Sequence, residues 1–170
     1  MNPKVVSFHF GLPESNYIKS IKNQNIYIIS SATTIKEAKI LEDSGADAII
    51  AQGFEAGGHR GTFASSYKEG EIGLFSLLPQ IVDATSVPII AAGGIANGKG
   101  IAAAFMLGAK GVQLGTAFLS CPEASVSPLW KNALSESSEK ETRITKAFTG
   151  RPARGIVNRL LDEMENKTDI

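Results

Sequence analysis

Cysteine is almost missing from this chain: among 170 residues there is one, Cys121. A single thiol excludes an internal disulfide and fits a reducing compartment. No helix start or basic neighbour in the sequence marks it as a nucleophile, so it reads as a packed or loop thiol. Histidine is scarce too, with only His9 and His59, and no ligand spacing for zinc or another metal emerges. Net charge is absent, since 17 Lys and Arg balance 17 Asp and Glu. That balance, and the lack of any basic block with interleaved aromatics, excludes a field that would gather nucleic acid or an anionic membrane. No apolar run nears the roughly 20 residues that span a bilayer. Met1-Asn2-Pro3-Lys4 leads straight into a strand-like run rather than a signal peptide, so the expected location is cytoplasmic. A P-loop lysine motif and a G-x-S-x-G elbow are also missing. The run Gly93-Gly94-Ile95-Ala96-Asn97-Gly98 departs from G-x-G-x-x-G, which argues against a Rossmann dinucleotide turn.

What is present is an alternation of short apolar runs and helix-like segments. Val5–Phe10, Ile26–Ser30, Ala48–Gln52, Pro88–Ala92 and Gly111–Leu114 are predicted strands. Helices are predicted over Glu14–Lys22, Ile35–Ser44, Phe75–Thr85 and Gly98–Leu107. Thr34 is placed as an N-cap with Glu37 as its capping-box partner, and Gly45 and Gly108 as helix stops. Pro79 fits the third helix only in a first turn. Gly53–Thr62 is a glycine-rich loop, the pattern beyond Pro122 is helical, and 163–170 is a solvated tail. Strands apolar on nearly every residue are buried on both faces, which means a parallel sheet covered by helices. A doubly wound sheet and a piece of a (β/α)₈ barrel both fit.

In such folds chemistry gathers at the C-terminal ends of strands. Three of these ends are unusual. After the third strand, Gln52 leads into Gly57, Gly58 and His59. The glycine pair lets backbone approach a ligand, and His59 can exchange a proton near neutral pH. A glycine turn with a solvent-facing histidine is the plain alternative; the placement after a strand and a Gly-Gly pair favours function. After the fourth strand, Gly93 and Gly94 expose backbone N–H groups suited to a phosphate. After the fifth, Gln113-Leu114-Gly115-Thr116 offers further N–H groups and a hydroxyl. Two neighbouring glycine loops signal more than either alone.

These segments resemble one family. Val5–Pro13, Glu55–Gly61, Ala91–Ile95, Gly108–Thr116 and Gly150–Gly155 are similar, in order and spacing, to nitronate monooxygenases, formerly 2-nitropropane dioxygenases. The likeness runs from Val5 to about Leu160. It implies an α/β (β/α)₈ barrel flavoprotein with non-covalent FMN, oxidising alkyl nitronates with O₂ to a carbonyl compound and nitrite. It implies FMN contacts at Gln52, Gly57, Gly58, Gly93, Gly94, Gln113, Leu114, Gly115 and Thr116, and an active-site role for His59, either taking a proton from a neutral nitroalkane or, favoured for a nitronate user, holding the nitronate by hydrogen bonding. His9 fits core packing at the barrel mouth as well as a substrate-side place. Arg151 and Arg154 fit surface ion pairs better than an anion site.

A full barrel takes about 250 residues. The expectation is therefore a partial barrel over 1–162, with strands resembling the fourth to eighth and the first three absent. Its outer strands would be open edges that a homo-oligomer could cover. Two other readings stay open: an FMN-dependent enoyl reductase of fatty-acid synthesis, which shares Glu55–His59 and the glycine loops, and a flavin-binding half-barrel without turnover. Phe8–Pro13 and Arg60 favour the nitronate family.

Overall fold

The structure, a computed structural model, describes residues 3–164. Along the chain come β1 (Val5–Phe8), α1 (Ser15–Lys22), β2 (Tyr27–Ala32), α2 (Ile35–Asp43), β3 (Ala48–Gln52), β4 (Gly58–His59), a 3₁₀ turn (Lys68–Gly70) and α3 (Leu74–Ala84). They are followed by β5 (Ile89–Ala92), α4 (Gly98–Met106), β6 (Gly111–Gln113), α5 (Thr116–Leu119), α6 (Pro128–Glu136), β7 (Thr142–Thr145), β8 (Ala153–Ile156) and α7 (Arg159–Met164). Two compact units result. One holds the chain up to Glu55 together with Gly61–Gln113; the other holds Ala56–Arg60 and the chain from Leu114 onward. The expected tail begins inside α7, at Glu163 and Met164; residues 165–170 lie outside the described residues. No helix among the described residues is long and apolar enough to cross a membrane.

In the first unit the five predicted strands form one parallel sheet in the order β1-β2-β3-β5-β6. Among the described residues the order never reverses and shows no topological switch point, so the doubly wound alternative falls away. Sequential parallel strands joined by helices are the arrangement of a partial (β/α)₈ barrel. Strand alternation decides the faces. Ala32, Ile49, Ala51, Ile89 and Ala91 join Leu41, Leu77, Leu78, Ile81 and Ala104 of α2, α3 and α4 in one core. The intervening residues, among them Ile50, Gln52, Ala92 and Gln113, belong to the opposite face. β1 and β6 are the edges of this sheet among the described residues. At the β1 edge, the paired Val5 and Tyr27 are 49% and 65% exposed.

Local chemistry sets the ends of these elements. β1 stops at Phe8, two residues short of its predicted end, because Phe10 and Gly11 turn left-handed at φ +68° and +90°. Thr34 Oγ1 accepts from the Glu37 N–H at 3.2 Å, as an N-cap should. The other half of the expected capping box is absent. The fully buried Glu37 carboxylate accepts instead from Thr33 N–H and Oγ1 (2.8 and 2.7 Å) and from the N–H groups of Phe63 and Ala64 (2.8 and 3.1 Å). It thus ties the loop after Gly61 to the end of β2. Pro79 sits in the middle of α3, not in a first turn. Its missing N–H leaves a gap against Phe75, which is 72% exposed. Leu74, Leu77, Leu78 and Ile81 are buried on the other side of α3, and at about 1.5–3 kcal/mol each they outweigh the roughly 3 kcal/mol of an interior proline.

The second unit corrects the prediction for the region beyond Pro122, which is not all helical. β4, β8 and β7 form an antiparallel sheet in that order. Gly58–His59, placed in a loop from the sequence, is therefore paired backbone, with Gly58 opposite Arg154 and His59 opposite Ala153. The β7 run Thr142-Arg143-Ile144-Thr145 carries three β-branched residues, a strand signal too short to stand out. The β8 run holds a glycine and an arginine, and only its pairing makes it a strand. Ser127 caps α6 through the Trp130 N–H at 3.3 Å, with Pro128 in the first turn. Ala153 and Leu161 are buried, and Arg143 and Asp162 pair at 3.4 Å.

Two outcomes are expected. Glu37→Ala strands buried donors on Thr33, Phe63 and Ala64, and denaturant melts should show a loss of about 3 kcal/mol or more; a loss under 1 kcal/mol contradicts the clamp. With β1 and β6 as open edges, light scattering on the purified chain should give masses above one chain; a clean monomer contradicts this.

Candidate functional site

The parallel register brings the strand ends into line. Gln52, Ala92 and Gln113 are successive Cα partners across β3, β5 and β6. The chain therefore leaves all three strands at one rim of the sheet. The Gly53 N–H donates to the Ala92 carbonyl at 2.9 Å, so the register continues one residue past β3.

Beyond β3 the excursion that carries His59 has two fixed feet in the first unit. Gln52 is buried, and its Oε1 accepts from the Gly61 N–H at 2.8 Å where the chain returns. At departure, both carboxylate oxygens of Glu55 accept from the Leu74 N–H at the start of α3, at 3.0 and 2.9 Å. His9, just past β1, borders the returning chain: a Cβ on Gly61 would lie 2.8 Å from its Cε1. Its Nδ1 is 3.1 Å from Ser31 Oγ, and its ring stands 4.4 Å from that of Phe10, tilted by 60°. His9 is thus exposed at the rim rather than packed in the core.

Beyond β5, Gly93 and Gly94 are both left-handed, at φ +107° and +68°. Residues with side chains rarely adopt two such conformations in succession. Among the described residues no protein group accepts from either N–H, and Gly94 is exposed. At the end of β6, Gln113 is exposed.

In the second unit, the segment from Ala56 to Arg60 lies along β8. The Arg60 N–H donates to the Pro152 carbonyl at 2.9 Å, and the Arg60 side chain is buried. His59 is half-buried, with Nε2 2.7 Å from Thr149 Oγ1. Gly57 stands so close to Thr116 that a Cβ there would lie 2.6 Å from its Oγ1. Gly115 precedes the short α5, faces open space, and its N–H has no protein acceptor among the described residues. Leu114 is half-buried, and Gly58, at φ +74°, is open on its Cβ side. Arg154 Nη1 donates to Thr142 Oγ1 at 3.1 Å, within the antiparallel sheet.

The structure thus sets Gln52, Gly93 and Gln113 along one rim in the first unit, and brings Gly57 onto Thr116 in the second. Thr149 and Glu55 were not anticipated. Thr149 stands 90 residues from His59 in sequence, with no local signal; Glu55 was legible only as a carboxylate among glycines. Glu42, near the end of α2, is held below the ordinary carboxyl range by the Ser86 hydroxyl and amide, Glu69 in the 3₁₀ turn by Ser66, and Glu141 just before β7 by Ser138. Among the described residues no three His, Cys, Asp or Glu side chains group as metal ligands.

The whole chain, residues 1–170, matches the family model for nitronate monooxygenase. The chain belongs to the nitronate monooxygenase family. A protein of Staphylococcus saprophyticus named probable nitronate monooxygenase is 47% identical over 166 residues, covering 96% of this chain and 47% of that protein. Among solved structures, nitroalkane oxidase from Streptomyces ansochromogenes superposes with a TM-score of 0.91 at 47% identity, over 98% of this chain and 48% of that one. FabK from Thermotoga maritima gives 0.81 at 37% identity, over 97% and 50%. This nitronate monooxygenase family member therefore spans about half the length of the relatives it matches.

The contact between Gly57 and Thr116 can be tested by a double-mutant cycle. Both residues are exposed, so Gly57→Ala should destabilise by only about 0.5–1 kcal/mol, and adding Thr116→Ala should recover most of that loss. Additive losses in thermal or denaturant melts contradict the contact.

Proposed function

We propose that this chain carries the flavin-phosphate loops and the histidine of an FMN-dependent oxidase of alkyl nitronates, which uses O₂ and yields a carbonyl compound and nitrite. The observation that carries this reading is the level row of strand ends, with the N–H groups of Gly93 and Gly94 accepted by no protein group among the described residues. Such amides suit a phosphate, and two glycines in succession, both left-handed, put no side chain over them. The residues thus fit FMN. When bound, FMN would supply the two-electron exchange between nitronate and O₂.

The remaining work falls to the chain's own groups. Gly93, Gly94 and Gln113 of the first unit are assigned to holding the cofactor; Gly57, Gly58, Leu114, Gly115 and Thr116 carry that assignment from the family resemblance of the sequence alone. Gln52 is assigned to it as well, while its Oε1 anchors Gly61. His59 holds the nitronate oxygens by hydrogen bonding; the substrate arrives deprotonated, so no strong base is needed. Thr149, on Nε2, restrains the imidazole so that the bond it makes is aimed. O₂ and a small nitronate or nitroalkane are the partners this chemistry requires.

A second reading, an FMN-dependent enoyl thioester reductase, is supported by Glu55–His59 and the two glycine loops. Flavin bleaching by NAD(P)H with an enoyl thioester as acceptor favours it; oxygen uptake with nitrite release from propionate 3-nitronate favours the oxidase. A yellow protein with neither activity is a flavin-binding half-barrel. For the oxidase, His59→Ala should lower turnover about 100-fold or more, the scale of one positioned acid–base group, with FMN affinity nearly unchanged. Equal loss of both overturns the role given to His59.

A further inference from the structure

Three glycines close in on one carboxylate that the proposed chemistry does not use. A Cβ on Gly53 would lie 2.5 Å from Glu55 Oε2, and one on Gly73 3.3 Å from Oε1. One on Gly94 would lie 3.2 Å from Glu55 Cβ and 3.5 Å from Cγ. Gly73 is also the N-cap position of α3 and has no side chain with which to cap it. Glu55 supplies the missing acceptor from 19 residues away, with both oxygens on the Leu74 N–H. A carboxylate suits the first turn of an 11-residue helix, whose N-terminal amides carry partial positive charge.

The consequence reaches the turn after β5. The Glu55 side chain stands between the start of α3 and Gly94, and Gly94 has no side chain of its own to hold its place. We infer that Glu55 is a positioning residue that braces the Gly93–Gly94 turn against α3 and so sets how that turn presents its N–H groups to the phosphate of FMN. This rests on the FMN reading above. Its bond to the Leu74 N–H directs the carboxylate charge at α3, and its Cβ and Cγ wall the turn.

A residue that merely holds the fold would weaken every flavin alike. A brace for the phosphate turn affects FMN and spares riboflavin, which has no phosphate. The experiment is fluorescence titration of the full chain with FMN and with riboflavin, for wild type, Glu55→Ala and Glu55→Gln, with thermal melts on each. Wild type is expected to prefer FMN. Glu55→Ala should lose about tenfold in FMN affinity, the scale of a lost helix cap, with riboflavin affinity within about twofold. Glu55→Gln keeps an acceptor for Leu74 and the bulk beside Gly94, and should lose less than Glu55→Ala. An unchanged preference for FMN in both variants overturns the inference, as does a parallel loss of both flavins. If wild type binds FMN no better than riboflavin, the cofactor reading itself fails, and that result is distinct from either outcome.

Discussion

Everything at this rim depends on parallel strands ending level. In an antiparallel sheet, neighbouring strands finish at opposite edges, and one glycine turn would face away from the next. Here β3, β5 and β6 are parallel and in register, so Gln52, Ala92 and Gln113 form one row. Ligand sites of parallel α/β folds gather at such an edge because backbone N–H groups leaving the strands have no ladder partner there. Gly93 and Gly94 are free of acceptors among the described residues for that reason, and two left-handed residues in succession keep side chains from closing over them.

Side-chain acceptors hold the loops in place. Glu37 collects four donors beneath the chain after Gly61, Gln52 accepts from Gly61 itself, and Glu55 accepts from the first residue of α3. Each replaces a backbone bond that the departing chain can no longer make. A buried donor left without an acceptor costs about 1–3 kcal/mol, so a few such anchors decide between a fixed loop and a wandering one. Glycine supplies close approach and glutamate or glutamine supplies the tether, and neither type suffices alone.

The parallel sheet was legible because its strands are dense in Ile, Val and Ala, and each expected strand is present with shifts of a residue or two at the ends. The choice between barrel and doubly wound sheet was not legible from periodicity, since strand order leaves no trace in a local pattern. The antiparallel sheet was missed because β8 mixes Arg154 and Gly155 into a four-residue strand whose partners lie at 58–59 and 142–145. Gln52 shows a different limit. A polar residue closing an apolar strand suits a ligand contact and a backbone anchor equally, and only coordinates reveal its bond to Gly61. Thr149 and His59 meet through that same long-range pairing.

Membership of the nitronate monooxygenase family, over a chain about half as long as its relatives, makes the phosphate loops the part of the proposed chemistry best tested here. The most direct measurement is a backbone amide NMR titration of the ¹⁵N-labelled chain with FMN. The N–H signals of Gly93 and Gly94 should move furthest, in a single saturable transition. If those two stay in place while FMN binds, with the large shifts arising elsewhere, the row of strand ends is not the flavin-phosphate site.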